Sequence, residues 1–257
     1  LKGGQRNLVV VDPSPDLKDY QKQLGERMRA IEKRKGPVKK GDDILLSVIN
    51  DGRLAAIDMR LVDPSASDNG SKLDRMIQNI YRRWKDGADT PFYGVKPEGG
   101  YTDQPIMRGP STQMVFSTLG LNPTKHNPSF AVHRFIRAQL VAMGVPADEI
   151  ILSENLTSDA RKQRAFNDMN EGKKRILIGS KTLFTGVNAQ RRIAAIHNLD
   201  PLWFPADDEQ RNGRGHRQGN QWNTVLEFRY ITDRLDGKRW QTLARKQKFI
   251  TDFMKSK

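Results

Sequence analysis

The chain has 257 residues, enough for one large domain or two small ones. It carries 44 Lys and Arg against 30 Asp and Glu, a formal charge of +14, which points to a polyanionic partner because basic residues that neutralise phosphates release condensed counterions. It has no cysteine, which excludes disulfides, thiolate metal sites and a cysteine nucleophile, and no apolar run approaches the roughly 18 residues of a membrane span.

The four histidines, His126, His133, His197 and His216, include no i, i+4 pair, so no metal site is expected. The chain opens on Leu1 with no secretory leader pattern, and the expectation is a piece of a longer chain. In chain order, Leu8 to Val11 is a short β-branched run that ends in a Pro-Ser-Pro turn. Leu17, Tyr20, Leu24, Met28 and Ile31 recur at helical spacing, with a basic opposite face that includes Lys22, Arg27 and Lys33, and Gly36-Pro37 stops the helix. A second helix is predicted over about 43–61. A third carries the stripe Leu73, Met76, Ile77, Ile80, Tyr81 and Trp84. Residues 86–110 are rich in Gly, Pro and Asp and read as an irregular connector.

From Gln113 onward short strands alternate with helices. Strands are predicted at 114–117, 150–153, 175–179, 194–199 and 224–231, and helices near 129–143, 158–170 and 206–217, with a last helix over about 234–254. This alternation implies an α/β fold, a parallel sheet covered on both faces, with active loops at the carboxyl ends of its strands. The expected division is a mainly helical insertion or linker over 1–110 and an α/β lobe with a C-terminal brace helix over 111–257.

The most specific stretch is Gln210-Arg211-Asn212-Gly213-Arg214-Gly215-His216-Arg217-Gln218-Gly219. Two arginines three apart on a helix share one face, so both guanidinium groups would reach one polyphosphate. The pattern QxxGRxHRxG, behind a strand and Asp200-Pro201-Leu202-Trp203-Phe204-Pro205, resembles the last signature motif of superfamily 2 helicases, closest to the Swi/Snf-type branch. The segment 180–188, ending Gly186-Val187-Asn188, resembles that family's strand followed by Ser-Leu-Lys, small residues and Gly-x-Asn, with a departure at Leu183 and Phe184, where glycines are usual. Met114–Ser117 resembles the first strand of the second RecA-like lobe, 155–172 the segment forming the next helix with Ser158 or Asp159 as its cap, and Ser71-Lys72-Leu73 the opening of the helix before the lobe. The resemblance spans about 8–254 and extends to the large helicase-like proteins of phages and plasmids, some fused to adenine-specific DNA methylases.

A P-loop is missing: Gly172-Lys173 and Gly237-Lys238 have Asn167 and Thr232 where the first glycine should stand, and neither pair precedes Ser or Thr. Asp207-Asp208-Glu209-Gln210 reads as the start of the arginine-bearing helix, not as a Mg²⁺-binding box.

The resemblance therefore implies the second RecA-like lobe of a DNA-dependent ATPase, a cytoplasmic, bacterial or phage-encoded protein, incomplete without a first lobe that holds most of the ATP and Mg²⁺. It implies Arg217 as arginine finger, Arg214 on the γ-phosphate, Gln210 setting geometry, and Gly186, Asn188 and Gly213 at the nucleotide. Lys181, Thr185 and Arg161 would hold DNA, expected to be duplex, through backbone phosphates. Trp203 and Phe204 are expected to pack in their Pro-flanked turn rather than stack on bases. A non-catalytic nucleic-acid-binding module and a scaffold for an acidic protein are the competing classes. The first predicts tight DNA binding with Arg217 dispensable, the second little DNA affinity even at low salt.

Overall fold

The computed structural model describes residues 5–66, 70–180, 188–222 and 224–255. Strands β1 (Gln5–Val11), β4 (Thr112–Phe116), β5 (Ile150–Leu152), β6 (Ile176–Gly179), β7 (Ile193–Asn198) and β8 (Leu226–Thr232) form one six-stranded sheet in the order β1-β8-β7-β4-β6-β5. Every pairing in it is parallel. Around it lie helices α1 (Pro15–Lys33), α2 (Leu45–Ala55), α3 (Lys72–Asp86), α4 (Val132–Ala142), α5 (Asp159–Glu171), α6 (Pro205–Asn212) and α7 (Gly237–Lys255).

The strands sort their side chains by the period of two that pleating imposes. Val115, Ile150, Leu152, Ile176 and Ile178 join one core with Leu73, Met76 and Ile80 of α3 and Ile136 and Leu140 of α4. Their neighbours Met114, Phe116, Ile151 and Leu177 face the opposite way and pack on Phe166 and Met169 of α5. Both faces are therefore buried, as a parallel sheet requires. This is the parallel α/β sheet, covered on both faces, expected from the alternation of strands and helices.

Helix entry follows local chemistry. Ser14, Ser71 and Ser158 accept hydrogen bonds from the backbone N–H groups of Leu17, Asp74 and Arg161, satisfying donors that the first turn leaves open. Gly172 ends α5 at φ 79°, where a side chain would also meet Pro110.

Three predicted secondary-structure elements differ. The helix over 43–61 is two pieces, α2 and a single 3₁₀ turn at Met59–Leu61. Extended backbone at Asp58 interrupts it, and the Asp58 carboxylate caps the turn by accepting from the Arg60 N–H. The connector over 86–110 contains an antiparallel hairpin, β2 (Thr90–Val95) and β3 (Tyr101–Gly109). A two-stranded ribbon has only edges, so Pro91 and Pro105 cost little ladder hydrogen bonding, and Gly99 and Gly100 take the positive φ of its tip. The run at Leu8–Val11 is part of β1, which pairs with β8, so residues before and after position 110 share one sheet. The third difference is in α6 and concerns the site itself.

Candidate nucleotide site at the arginine turn

Helix α6 stops at Asn212, and Gly213 is its C-cap. Arg214 and Arg217 therefore lie in a turn beyond the helix, not on one helical face. The turn forms because the backbone comes down onto the sheet: a Cβ at Gly215 would stand 2.8 Å from Ile196 and 3.0 Å from Val225. A side chain there would push the Ile196 and Val225 side chains aside. Asn220, wholly buried, closes the turn. Its side-chain amide donates to the carbonyls of Gly215 at 2.8 Å and Ile193 at 2.9 Å, and its backbone N–H donates to the Arg217 carbonyl at 3.2 Å.

The two arginines have different environments. Arg214 is buried and Arg217 is exposed. Burial lowers the pKa of Arg214, and the nearby charge of Arg217 lowers it further. Two guanidinium charges kept close enough to repel favour a polyanion that meets both. His216 between them is also held below its ordinary pKa, by burial first and by Arg6 in addition.

Helix α6 runs back along the sheet, so the turn lies by the amino end of β7 rather than at the carboxyl ends of the strands, where active loops were expected. The segment entering β7 lies beside it: Gln221 N–H donates to the Arg191 carbonyl at 2.8 Å. Asn170 of α5 holds the same segment, donating to the Asn188 carbonyl at 2.8 Å and accepting from the Arg191 N–H. Asn188 is exposed on the side of the arginine turn. Gln210 is exposed on α6. Gly186, Lys181 and Thr185 lie outside the described residues.

Arg161 is exposed in the first turn of α5, beyond the carboxyl end of β5, and its guanidinium donates to the Thr157 hydroxyl. Ser180 follows β6 at the same end of the sheet. Trp203 and Phe204 are here too, and the expectation that they pack is overturned: they are 64% and 57% exposed. With Leu46, Ile49, Arg53 and Arg239 they line a groove of about 720 Å³.

Sequence reasoning missed what fixes α6. Arg211, fully buried, donates to Asp208 at 2.7 Å and to the Asp200 carbonyl at 3.1 Å. Asp208 also accepts from Arg229 of β8, which in turn donates to Glu227. Spacing gives no sign of these partners apart from the i, i+3 pair of Asp208 and Arg211. Asp208 is thus engaged by two guanidinium groups, in keeping with its reading as a helix residue. Among the described residues no group of three or more His, Asp or Glu is arranged to hold a metal.

Residues 126–219 match the family model of the helicase conserved C-terminal domain. This segment is similar to helicase C-terminal domains. The described fold is similar to that of the Sulfolobus solfataricus SWI2/SNF2 ATPase C-terminal domain, which aligns at a TM-score of 0.58 and 15% identity, over 97% of this chain and 89% of that one. The C-terminal part of the Fun30 ATPase domain aligns at 0.54 and 16% identity, over 94% and 89%. In sequence, 110 residues, 42% of the chain, are 34% identical to Defense against restriction protein B of Escherichia phage P1. The match spans 5% of that protein's length. Among the described residues, no helix is long and apolar enough to cross a membrane.

Proposed function

We propose that the lobe is the arginine-donating half of a DNA-dependent ATPase whose P-loop half lies on another lobe of the same parent chain. The observation that carries this reading is the pairing of Arg214 and Arg217 in one glycine-shaped turn beside the Asn188 segment. Two like charges in a preorganised turn have a use where a polyphosphate is clamped between lobes. The side chains present fit the phosphates of ATP, and Mg²⁺ belongs with the partner lobe.

In this reading Arg217, exposed, offsets the charge that develops as the γ-phosphoryl group leaves, and Arg214, set deeper, holds the γ-phosphate. Gln210 and Gly213 border that position. Asn188, exposed beside the arginine turn, approaches the nucleotide, and Gly186 is assigned to it by its place in the motif. Arg161, at the carboxyl-end side, takes a DNA phosphate, and Lys181 and Thr185 are assigned the same role by their place in the motif. Backbone contacts suit a duplex-tracking motor, which must not depend on sequence. Exposed Trp203 and Phe204 add aromatic faces for bases on that same side. The bacterial or phage setting and a cytoplasmic site of action go with this reading.

The test is ATP hydrolysis by this chain alone and by a longer natural chain that includes the P-loop lobe, each with and without duplex DNA. The reading expects no turnover by this chain and DNA-stimulated turnover by the longer one. Turnover by this chain alone would place the nucleotide elsewhere. Tight DNA binding by a longer chain that never turns over ATP would favour the non-catalytic binding module.

A further inference from the structure

The β2–β3 hairpin has no role in the reading above, yet it is built onto the arginine turn. Tyr93 N–H donates to the Gln221 carbonyl at 2.9 Å. The Tyr101 hydroxyl lies 3.2 Å from the Asn220 carbonyl and 3.4 Å from the Trp222 carbonyl. Phe92, buried, meets the Trp222 ring edge-on at 6.1 Å, and the Arg192 guanidinium covers the Phe92 ring at 4.8 Å. The hairpin therefore grips three consecutive residues, 220–222, from one side. On the other side Asn220 is bonded to the backbone of Gly215 and Arg217, on either side of His216.

We propose that the hairpin is a positioning element for the arginines, acting through Asn220: it fixes the backbone of 220–222, and Asn220 fixes the turn that aims Arg217. The inference rests on the ATPase reading. The Arg217 carbonyl accepts from the Asn220 N–H, so the backbone position from which its side chain departs is what this clamp controls. A displacement of 1 Å in such a group costs on the order of 10²-fold in rate, while ground-state binding is affected far less. Tyr101 is the residue to test. Its ring is half-buried at the surface of the hairpin, and Tyr101→Phe removes the hydroxyl contacts while leaving the ring in place. Asn220→Ala removes the inner half of the clamp but also strips two buried carbonyls of their donor and destabilises the fold, so Tyr101→Phe is the variant that separates positioning from stability.

The experiment is steady-state ATP hydrolysis with saturating duplex DNA, in the natural chain that includes the P-loop lobe, for Tyr101→Phe, Asn220→Ala and Arg217→Ala. Thermal midpoint and DNA affinity are measured on each variant. The clamp predicts that Tyr101→Phe lowers kcat by about tenfold, a fraction of the full loss from misplacement, with KM for ATP, DNA affinity and thermal midpoint unchanged. An unchanged kcat in Tyr101→Phe, or a loss confined to KM, DNA affinity or thermal midpoint, overturns the clamp provided that Arg217→Ala has abolished turnover. If Arg217→Ala itself turns over normally, the ATPase role of the turn fails and the clamp fails with it.

Discussion

Asp208 of α6 accepts a hydrogen bond from Arg229 of β8 at 2.9 Å, and this contact anchors the short helix ahead of the arginine turn to the sheet. The carboxylate also holds Arg211, which no solvent reaches. Glu227 joins through Arg229 and Asn212, and Asn212 accepts from Asn198 of β7. A buried charge network of this kind contributes little net stability when intact and costs much when half of it is removed.

Asp208→Ala is therefore expected to destabilise the lobe by about 3–5 kcal/mol, because Arg211 and Arg229 lose their shared carboxylate inside the fold. Urea unfolding of the variant and the parent checks this. A change below 1 kcal/mol, on the order of an exposed ion pair, would mean that the network does not anchor α6.

Much of the sheet was legible because its residues obey a short-range rule. Val115 and Ile178 facing one way, with Met114 and Leu177 facing the other, follow from pleating and from burial on both faces. The hairpin was not legible, because Pro91, Gly94 and Pro105 signal a loop by composition, and only pairing in space makes their segments strands. The end of α6 was missed for a related reason. The spacing of Arg214 and Arg217 is compatible with a helix, and the contact that stops it is with Ile196 and Val225, which sequence spacing does not reveal.

Lys72 and Asp236 form a second buried ion pair, joining the start of α3 to the residue before α7, and Asp236 also accepts from Thr232 N–H at 2.8 Å. Lys72→Met leaves the carboxylate buried without its cation, so a loss of about 3–5 kcal/mol is expected, and Lys72→Met with Asp236→Leu should recover part of it. A double variant no more stable than the single one would contradict the pairing.

The lobe should lose stability in mild acid. His197 is wholly buried, with Nδ1 2.8 Å from the Tyr230 hydroxyl and Nε2 2.9 Å from Gln113 Oε1. Because Gln113 donates its amide to the Ile80 carbonyl, its Oε1 accepts from His197 Nε2, and the imidazole is neutral with Nδ1 as acceptor. Burial lowers its pKa from 6.5 to about 3. The unfolded chain takes up this proton as pH falls below 6.5 and the folded chain does not, so stability is complete above that value and declines toward about 3. The slope is about 1.4 kcal/mol per pH unit from this residue. His133 and His216, also lowered by burial, act in the same direction. Denaturant unfolding at pH 7.5 and pH 5 should show a smaller difference in His197→Gln than in the parent, and equal differences would contradict the assignment.

Arg161→Ala should weaken duplex binding equally across sequences and reduce the slope of log affinity against log salt by about 1. Binding isotherms at several salt concentrations measure it. An unchanged slope would remove Arg161 from the DNA surface.

The most direct measurement of the central claim is the turnover number of Arg217→Ala, made in the natural chain that includes the P-loop lobe and with saturating duplex DNA. The account predicts a fall in kcat on the order of 10³-fold or more, with ATP still bound and DNA affinity retained. Turnover at the parental rate would contradict it and leave the paired arginines without a catalytic role.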